Sequence, residues 1–416
     1  MSATEPVNVP RFVVAQTGAR RSYAVPLILE QAGMLERFYT DVCGNVGWGK
    51  WLVRLARFAG GMGGKLRGLA NRRVPAALVE HTVTFAWPNI DWAIRSLGAL
   101  RDPTQRFRLK LRLFTELSKA AAGRGFGRAT HLYGMLGEFT PLMRAARARG
   151  IKVVSEIYIL MSSQRLQEEE RQRFPEWERV APDWDGVTRA AGWEGAPVGD
   201  CDYYLCPSEA VAADLVERWG VAASATVVVP YGMNASWLEL EPRPCPGRIL
   251  FVGTADLRKG IHYLAMAAEE LAKRGRRYEF RVAGNVSTEV LRQPACAHLS
   301  FLGRVPRDRI RDEFQMADVF VLPSLAEGSA EVTYEALASG VPLVVTKAAG
   351  SVARDGVEGR IIPERDPVAL ADAIEQLVED RTLRDQLGQA ARRRAREFTW
   401  EQYGTRLVAA LQNMRS

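Results

Sequence analysis

The stretch Glu327-Gly328-Ser329-Ala330-Glu331-Val332-Thr333-Tyr334-Glu335-Ala336-Leu337-Ala338-Ser339-Gly340 decides how the chain is read. It lies between two apolar runs, Val319 to Ser324 and Val341 to Thr346, that read as buried parallel strands. The unit is strand, loop, helix, strand, and open α/β sheets hold their ligands at the carboxyl ends of such strands. Glu327 falls in the loop just past a strand end. Glu335 falls in the helix, still near its N-terminus. The amides of Ser329, Ala330 and Glu331 open that helix without intrahelical acceptors, which makes an anion site aided by the helix dipole. Carboxylates repel phosphate but accept hydrogen bonds from vicinal diols. Phosphate on backbone amides beside hydroxyls on two glutamates describes a nucleotide sugar.

From Pro323 to Pro342 the full pattern is Pro-Ser-x-x-Glu-Gly-x6-Glu-Ala-x-Ala-x-Gly-x-Pro. It resembles the donor-site signature of family 4 of the retaining glycosyltransferases, which have the GT-B fold. The resemblance implies an α/β chain of two Rossmann-like, doubly wound parallel-sheet domains facing across a cleft. Residues 1–238 would form the acceptor side and 247–399 the donor-binding side, with a last helix, 400–416, packing back on the first domain. It also implies that Glu327 contacts the transferred sugar and that Glu335 holds the ribose hydroxyls. Many members carry glycine where this chain has Ala330.

The second domain opens with a strand, Arg248 to Gly253, followed by Thr254-Ala255-Asp256-Leu257-Arg258-Lys259-Gly260. Adjacent Arg258 and Lys259 after a strand can grip a diphosphate and stabilise the charge that develops on a leaving group. In the family an arginine commonly follows the glycine, here Gly253, and a lysine precedes the next glycine. Lys259 matches the second; Thr254 replaces the first, so Arg258 is expected to supply its charge. The resemblance further assigns Val305, in the loop after Gly303, a backbone contact to the base.

In the N-terminal half, Arg11 to Gln16 reads as a strand, Thr17 to Ser22 as a glycine loop and Tyr23 to Ala32 as a helix. By the same resemblance Gly18 faces the donor diphosphate, with Arg20 and Arg21 as charge partners. The longer dinucleotide fingerprint is absent. His131 and Glu156 are candidates for the acceptor side. Gln164 to Arg173 reads as a charged surface lid or arm stopped near Pro175. Asp200-Cys201-Asp202 matches a metal motif of another glycosyltransferase fold, but it leads into a strand and reads as structural. From Gly44 to Leu78 there is no acidic residue, and Lys50, Arg54, Arg72 and Arg73 are interleaved with Trp48, Trp51, Leu52 and Leu55. Such a stretch, like the basic helix Arg101 to Arg112, suits an anionic membrane surface. Gly60 to Lys65 is not a phosphate loop, because Leu66 stands where a magnesium-binding Ser or Thr belongs.

A chain of 416 residues is too long for one ordinary core and predicts two domains. No apolar run reaches the ~18 residues of a membrane helix, and the polar start Met1 to Asn8 argues against a secretory signal. Five scattered cysteines suit a reducing compartment. The net charge of +8 fits partners bearing phosphate. The expectation is a cytoplasmic, retaining hexosyltransferase of polysaccharide or glycolipid synthesis, with peripheral membrane contact through 44–78. Its donor would be a nucleoside-diphosphate sugar and its acceptor a carbohydrate or lipid-linked hydroxyl, with no metal, no cofactor and no nucleic acid. The alternatives are a GT-B nucleotide-sugar epimerase or phosphorylase, or a non-catalytic basic binding protein.

Overall fold

Continuous apolar runs, rather than alternating ones, build both sheets, because helices cover both faces of each. In the computed structural model Phe12–Gln16 and Val319–Leu322 are buried along their whole length. The structure describes residues 9–58, 64–96, 102–178, 186–187, 189 and 197–414. The readings placed on Met1 to Asn8, on most of the glycine run Gly60 to Lys65 and on Arg101 lie outside these residues.

The first sheet comprises β1 (Phe12–Gln16), β2 (Leu35–Thr40), β3 (Thr82–Thr84), β4 (His131–Met135), β5 (Lys152–Glu156), β6 (Tyr203–Cys206) and β7 (Thr226–Val228). All pairings are parallel, in the order β3-β2-β1-β4-β5-β6-β7. The second comprises β8 (Arg248–Val252), β9 (Glu279–Ala283), β10 (Leu299–Gly303), β11 (Val319–Leu322), β12 (Leu343–Thr346) and β13 (Gly359–Ile362). Its order is β10-β9-β8-β11-β12-β13, again all parallel. Strand order reverses between β1 and β4 and between β8 and β11, so each doubly wound sheet has a switch point there. The chain adopts the GT-B architecture.

Several segments bind the two halves together. The Pro-rich linker is laid down by backbone bonds from Arg243 and Cys245 to the Gln315 and Met316 carbonyls, at 2.8 and 3.0 Å. Thr399 pairs with Met233, and the helix Trp400–Gln412 then packs on the helix Ala24–Gln31. The helix expected as a free arm, Ser163–Arg173, is instead docked on the second domain. Its Glu170 is fully buried, accepting from His262 Nε2 at 3.0 Å, from Arg365 Nε at 2.8 Å and from the Tyr263 hydroxyl. Phe174 and Trp177 close over His262. The helix after β1 begins at Ala24, because Arg21, Ser22 and Tyr23 turn through left-handed backbone at φ of 44°, 54° and 64°. Among the described residues no helix is long and apolar enough to cross a membrane.

Candidate active site

β11 delivers the chain to its carboxyl end beside β8, and the loop Pro323 to Ala330 is then braced on three neighbours. Leu325 N–H donates to the Arg258 carbonyl at 2.8 Å, and Glu327 N–H to the Ala348 carbonyl at 3.0 Å. From the first domain, Leu160 N–H reaches the Glu327 carbonyl at 3.3 Å and Ser208 Oγ the Gly328 carbonyl at 2.5 Å. Gly328 is required here: a Cβ at this position would lie 2.1 Å from the Tyr158 carbonyl oxygen. The loop therefore sits between the domains, at a switch point where α/β sheets bind ligands.

Glu327 is held by two cations. Its Oε1 lies 2.5 Å from Lys259 Nζ and 2.9 Å from Arg258 Nη1. Arg258 also donates to the Ala326 carbonyl at 2.8 Å, while Lys259 N–H donates to Asp256 Oδ1 at 2.9 Å. The Lys259 stem runs across Gly253, where an added Cβ would stand 2.8 Å from Lys259 Cδ. A glycine at 253, with φ of +150°, is what lets the lysine cross the strand end and reach Glu327. Thr254, at the position where an arginine was expected from the resemblance, is exposed. Arg258 and Lys259 thus form one cationic pair at the end of β8.

Around the helix Glu331–Ala338 the expected anion site is smaller than its sequence implies. Ala330 N–H is already bonded to the Ala349 carbonyl at 3.1 Å, because the loop after β12 packs against the helix start. Ser329 Oγ donates to the Gly350 carbonyl at 2.8 Å and meets the Tyr334 hydroxyl at 2.7 Å, so this hydroxyl is structural. Among the described residues the Ser329 and Glu331 amides meet no protein acceptor. Glu335 is half-buried, and its carboxylate makes no ion pair or hydrogen bond among the described residues. Burial, together with the nearby Glu331, pushes its pKa up to about 7, with Arg307 pulling the other way. An unpaired, half-buried carboxylate with access to solvent is an acceptor without a donor. Val305 follows Gly303 at the end of β10 and packs half-buried against the second-domain core.

Residues 246–380 match the family model described as Glycosyl transferases group 1. The second domain is a group 1 glycosyltransferase domain. Two curated proteins illustrate the likeness. The D-inositol 3-phosphate glycosyltransferase of Corynebacterium diphtheriae is 30% identical over 230 residues, 49% of this chain and 54% of that protein. The phosphatidyl-myo-inositol mannosyltransferase of Mycobacterium leprae is 30% identical over 210 residues, 47% of this chain and 56% of that protein. The chain spans about half the length of the curated relatives it matches. Among solved structures, Anabaena HepE in complex with UDP superposes with a TM-score of 0.60 at 15% identity, covering 97% of this chain and 100% of HepE. The lipopolysaccharide outer core galactosyltransferase WaaB gives 0.58 at 11% identity, covering 95% and 98%.

Facing the group 1 domain, the first-domain loop is more engaged than expected. Gly18 has φ of +69°, but its N–H donates to Asp41 Oδ1 at 3.0 Å, so this amide is not free for a phosphate. Arg20 is bound by Glu138, a buried carboxylate that also takes the Thr17 hydroxyl at 2.8 Å. Arg21 stacks on Tyr231 at 3.4 Å, pairs with Glu156 at 2.7 Å and reaches Glu331 across the cleft at 3.7 Å. Burial would raise the Glu156 pKa, but Arg21 and the Tyr133 and Tyr231 hydroxyls outweigh it and hold it below the usual carboxylate range. Glu156 is therefore a locked anion. His131 lies at the amino end of β4, fully buried against Phe12 and bonded to Thr130, so it belongs to the core and not to the acceptor side.

Asp200 pairs with Arg144 at 2.8 Å and Asp202 accepts the Val153 amide at 2.8 Å. These are structural roles, and no cluster of metal-ligating side chains occurs among the described residues. Sequence reasoning missed the contribution of Tyr158, Leu160 and Ser208 to the loop. It also missed Glu178, which reaches from the first domain to accept the Leu257 amide at 2.7 Å.

Proposed function

We propose that the chain is a retaining glycosyltransferase that moves a hexosyl unit from a nucleoside-diphosphate sugar to an acceptor hydroxyl, in polysaccharide or glycolipid assembly. The observation that carries this reading is the Glu327 carboxylate fixed between Lys259 and Arg258 at the end of β11, with the unpaired Glu335 carboxylate on the following helix. In this reading Glu335 accepts the ribose diol, the Ser329 and Glu331 amides take phosphate oxygens, and Gly253 lets Lys259 cross the strand end to meet the diphosphate. The bond between the anomeric carbon and its phosphate oxygen breaks as the acceptor oxygen arrives on the same face. The acceptor proton passes to the departing phosphate oxygen, and the new charge falls on Arg258 and Lys259. Prepositioned donors of this kind each supply about 3–4 kcal/mol of barrier lowering. Glu327 orients the hexose and does not attack it.

HepE binds UDP and UDP-glucose in the same fold, which supports a nucleoside diphosphate here. The mannosyl and inositol-phosphate glycosyltransferases among the relatives support a hexosyl donor and a polar, phosphate-bearing acceptor. The test is a thermal-shift screen of nucleoside diphosphates, followed by turnover of the matching nucleotide sugars and NMR assignment of the product anomer. Stabilisation by one nucleoside diphosphate and a product retaining the donor configuration are expected. An inverted product, or conversion of the sugar without any acceptor, would overturn the reading; the latter is the behaviour of an epimerase.

A further inference from the structure

The helix Gly47–Phe58 is amphipathic in an unusual sense: its apolar stripe faces outward. Trp48, Trp51, Leu52 and Leu55 fall at the i, i+3, i+4, i+7 spacing of one helix face. They are 63%, 65%, 38% and 71% exposed, while the side packed on the protein is Gly49 and Val53. Lys50 and Arg54 flank the stripe, with Arg54 leaning over the Trp51 ring at 5.7 Å. The neighbouring helix Ala86–Ser96 buries no residue, and leaves Trp87, Trp92 and Ile94 exposed. The two helices touch. Water-soluble surfaces seldom gather this many large apolar side chains unless something covers them.

The first helix is seated firmly. A Cβ at Gly49 would lie 2.0 Å from the Cys43 carbonyl, so the glycine lets the helix press onto the loop after β2. Both helices follow the carboxyl ends of their strands, β2 and β3, which is the edge where β1 delivers Gly18 to the cleft. The charge around them has one sign. No acidic residue occurs from Gly44 to Leu78. Asp91, on the second helix, is neutralised by Arg95 at 2.7 Å and Arg112 at 3.4 Å. Glu80 precedes β3, at the opposite edge of the sheet.

We propose that this face docks on an anionic lipid bilayer, with the Trp48–Leu55 stripe and Trp87 sunk at the headgroup level and Lys50, Arg54 and Arg73 on the phosphates. Tryptophan and a basic flank around an apolar stripe are the chemistry of interfacial helices. A second copy of this chain is disfavoured as the occupant, because two such faces would bring like charges together. Resting on the proposed function, the docked chain would present its acceptor side to a lipid-held hydroxyl, since the stripe adjoins the cleft edge.

The test uses the full chain and vesicles of phosphatidylcholine, with and without phosphatidylglycerol. Sedimentation with the anionic vesicles alone, weakened by salt, is expected. Trp48→Ser with Trp51→Ser should lower the partition constant at least tenfold. Lys50→Gln and Arg54→Gln should each lower it roughly fivefold. All four positions are exposed, so melting temperature and the shift given by nucleoside diphosphates should not change. Equal binding to neutral vesicles, or binding that survives these substitutions, would overturn the proposal. So would a concentration-dependent dimer that the tryptophan changes abolish, without vesicle binding. Vesicle binding by a chain that no nucleoside diphosphate stabilises would leave the surface standing and remove the acceptor argument alone.

Discussion

Replacing Glu327 by alanine separates the two tasks given to the site. In the structure its carboxylate stands 2.5 Å from Lys259 Nζ and 2.9 Å from Arg258 Nη1, and none of the three side chains is more than 19% exposed. Without it, two largely buried cations lose their counter-charge, and a diphosphate is the natural replacement. On the proposed function, a diphosphate bound to the wild type would also meet Glu327 as a like charge. At a separation of about 6 Å and an effective dielectric of about 20–80, the repulsion is roughly 0.7–3 kcal/mol. Glu327→Ala should therefore tighten nucleoside-diphosphate binding about three- to a hundredfold. Turnover should move the other way, falling about a hundredfold or more, because nothing then orients the hexose. Isothermal titration gives the first quantity and single-turnover transfer the second. The unliganded variant should also melt lower, since its cations are unpaired, and recover more than the wild type when a diphosphate is added. Weaker diphosphate binding combined with near-normal turnover would refute the reasoning at both points.

Three further outcomes follow from the same geometry. The Glu335 carboxyl, pushed up to about 7 by burial and Glu331, binds a proton in the folded chain that the unfolded chain has already lost above 4.5. Stability should fall as pH rises from 4.5 through 7, and Glu335→Gln should remove that slope in denaturant titrations. Sugar hydroxyls favour the ionised form, so nucleotide-sugar affinity should rise with pH across neutrality, with proton release read by calorimetry in buffers of different ionisation enthalpy. A pH-independent affinity would show that Glu335 is not the diol acceptor. Glu170, held down at about 2 by its hydrogen bonds despite burial, contributes stability that is present above 4.5 and lost as pH falls toward 2. Glu170→Ala, which strands His262, Tyr263 and Arg365, should cost about 3–5 kcal/mol in chemical denaturation. Gly328→Ala drives a Cβ to within 2.1 Å of the Tyr158 carbonyl. It should cost about 1–3 kcal/mol of stability and lower turnover roughly ten- to a hundredfold, as the loop is forced off the first domain.

The parallel sheets and the placement of Glu327 and Glu335 were legible because their signals are local. The apolar runs around Phe320 and Val344 announce buried strands, and one strand–loop–helix unit carries both Glu327 and Glu335. What the sequence hid depends on partners far along the chain. Ala330 has the pattern of a free first-turn amide, yet the Ala349 carbonyl, from the loop after the next strand, occupies it. Gly18 has the pattern of a phosphate glycine, yet Asp41 takes its amide. The helix Ser163–Arg173 has no apolar period to betray an interface, because its key buried residue is a carboxylate; pattern reading sees burial only where it is apolar. The left-handed run Arg21 to Tyr23 contains no glycine to announce it and is imposed by the tertiary contacts of Arg21 and Tyr23.

These distant contacts share a target. Leu160 and Ser208 bond the backbone of the Glu327–Gly328 loop, and Arg21 reaches Glu331 at the start of the next helix. These three first-domain contacts therefore touch the segment that would handle the donor. Polar contacts of this kind exchange more readily than a packed apolar core. A ligand that draws Lys259 away from Glu327, or whose phosphate repels the Glu331 carboxylate, acts on the same residues that bond Leu160 and Arg21. On the proposed function, donor occupancy and the shape of the opposite wall should then be coupled through one loop. Leu160→Pro, which removes the amide that donates to the Glu327 carbonyl, should weaken that coupling without touching either cation. The measurable sign would be an acceptor KM that no longer responds to donor concentration, with the donor Kd preserved. If the acceptor KM kept its wild-type dependence on the donor, the loop would not be the link.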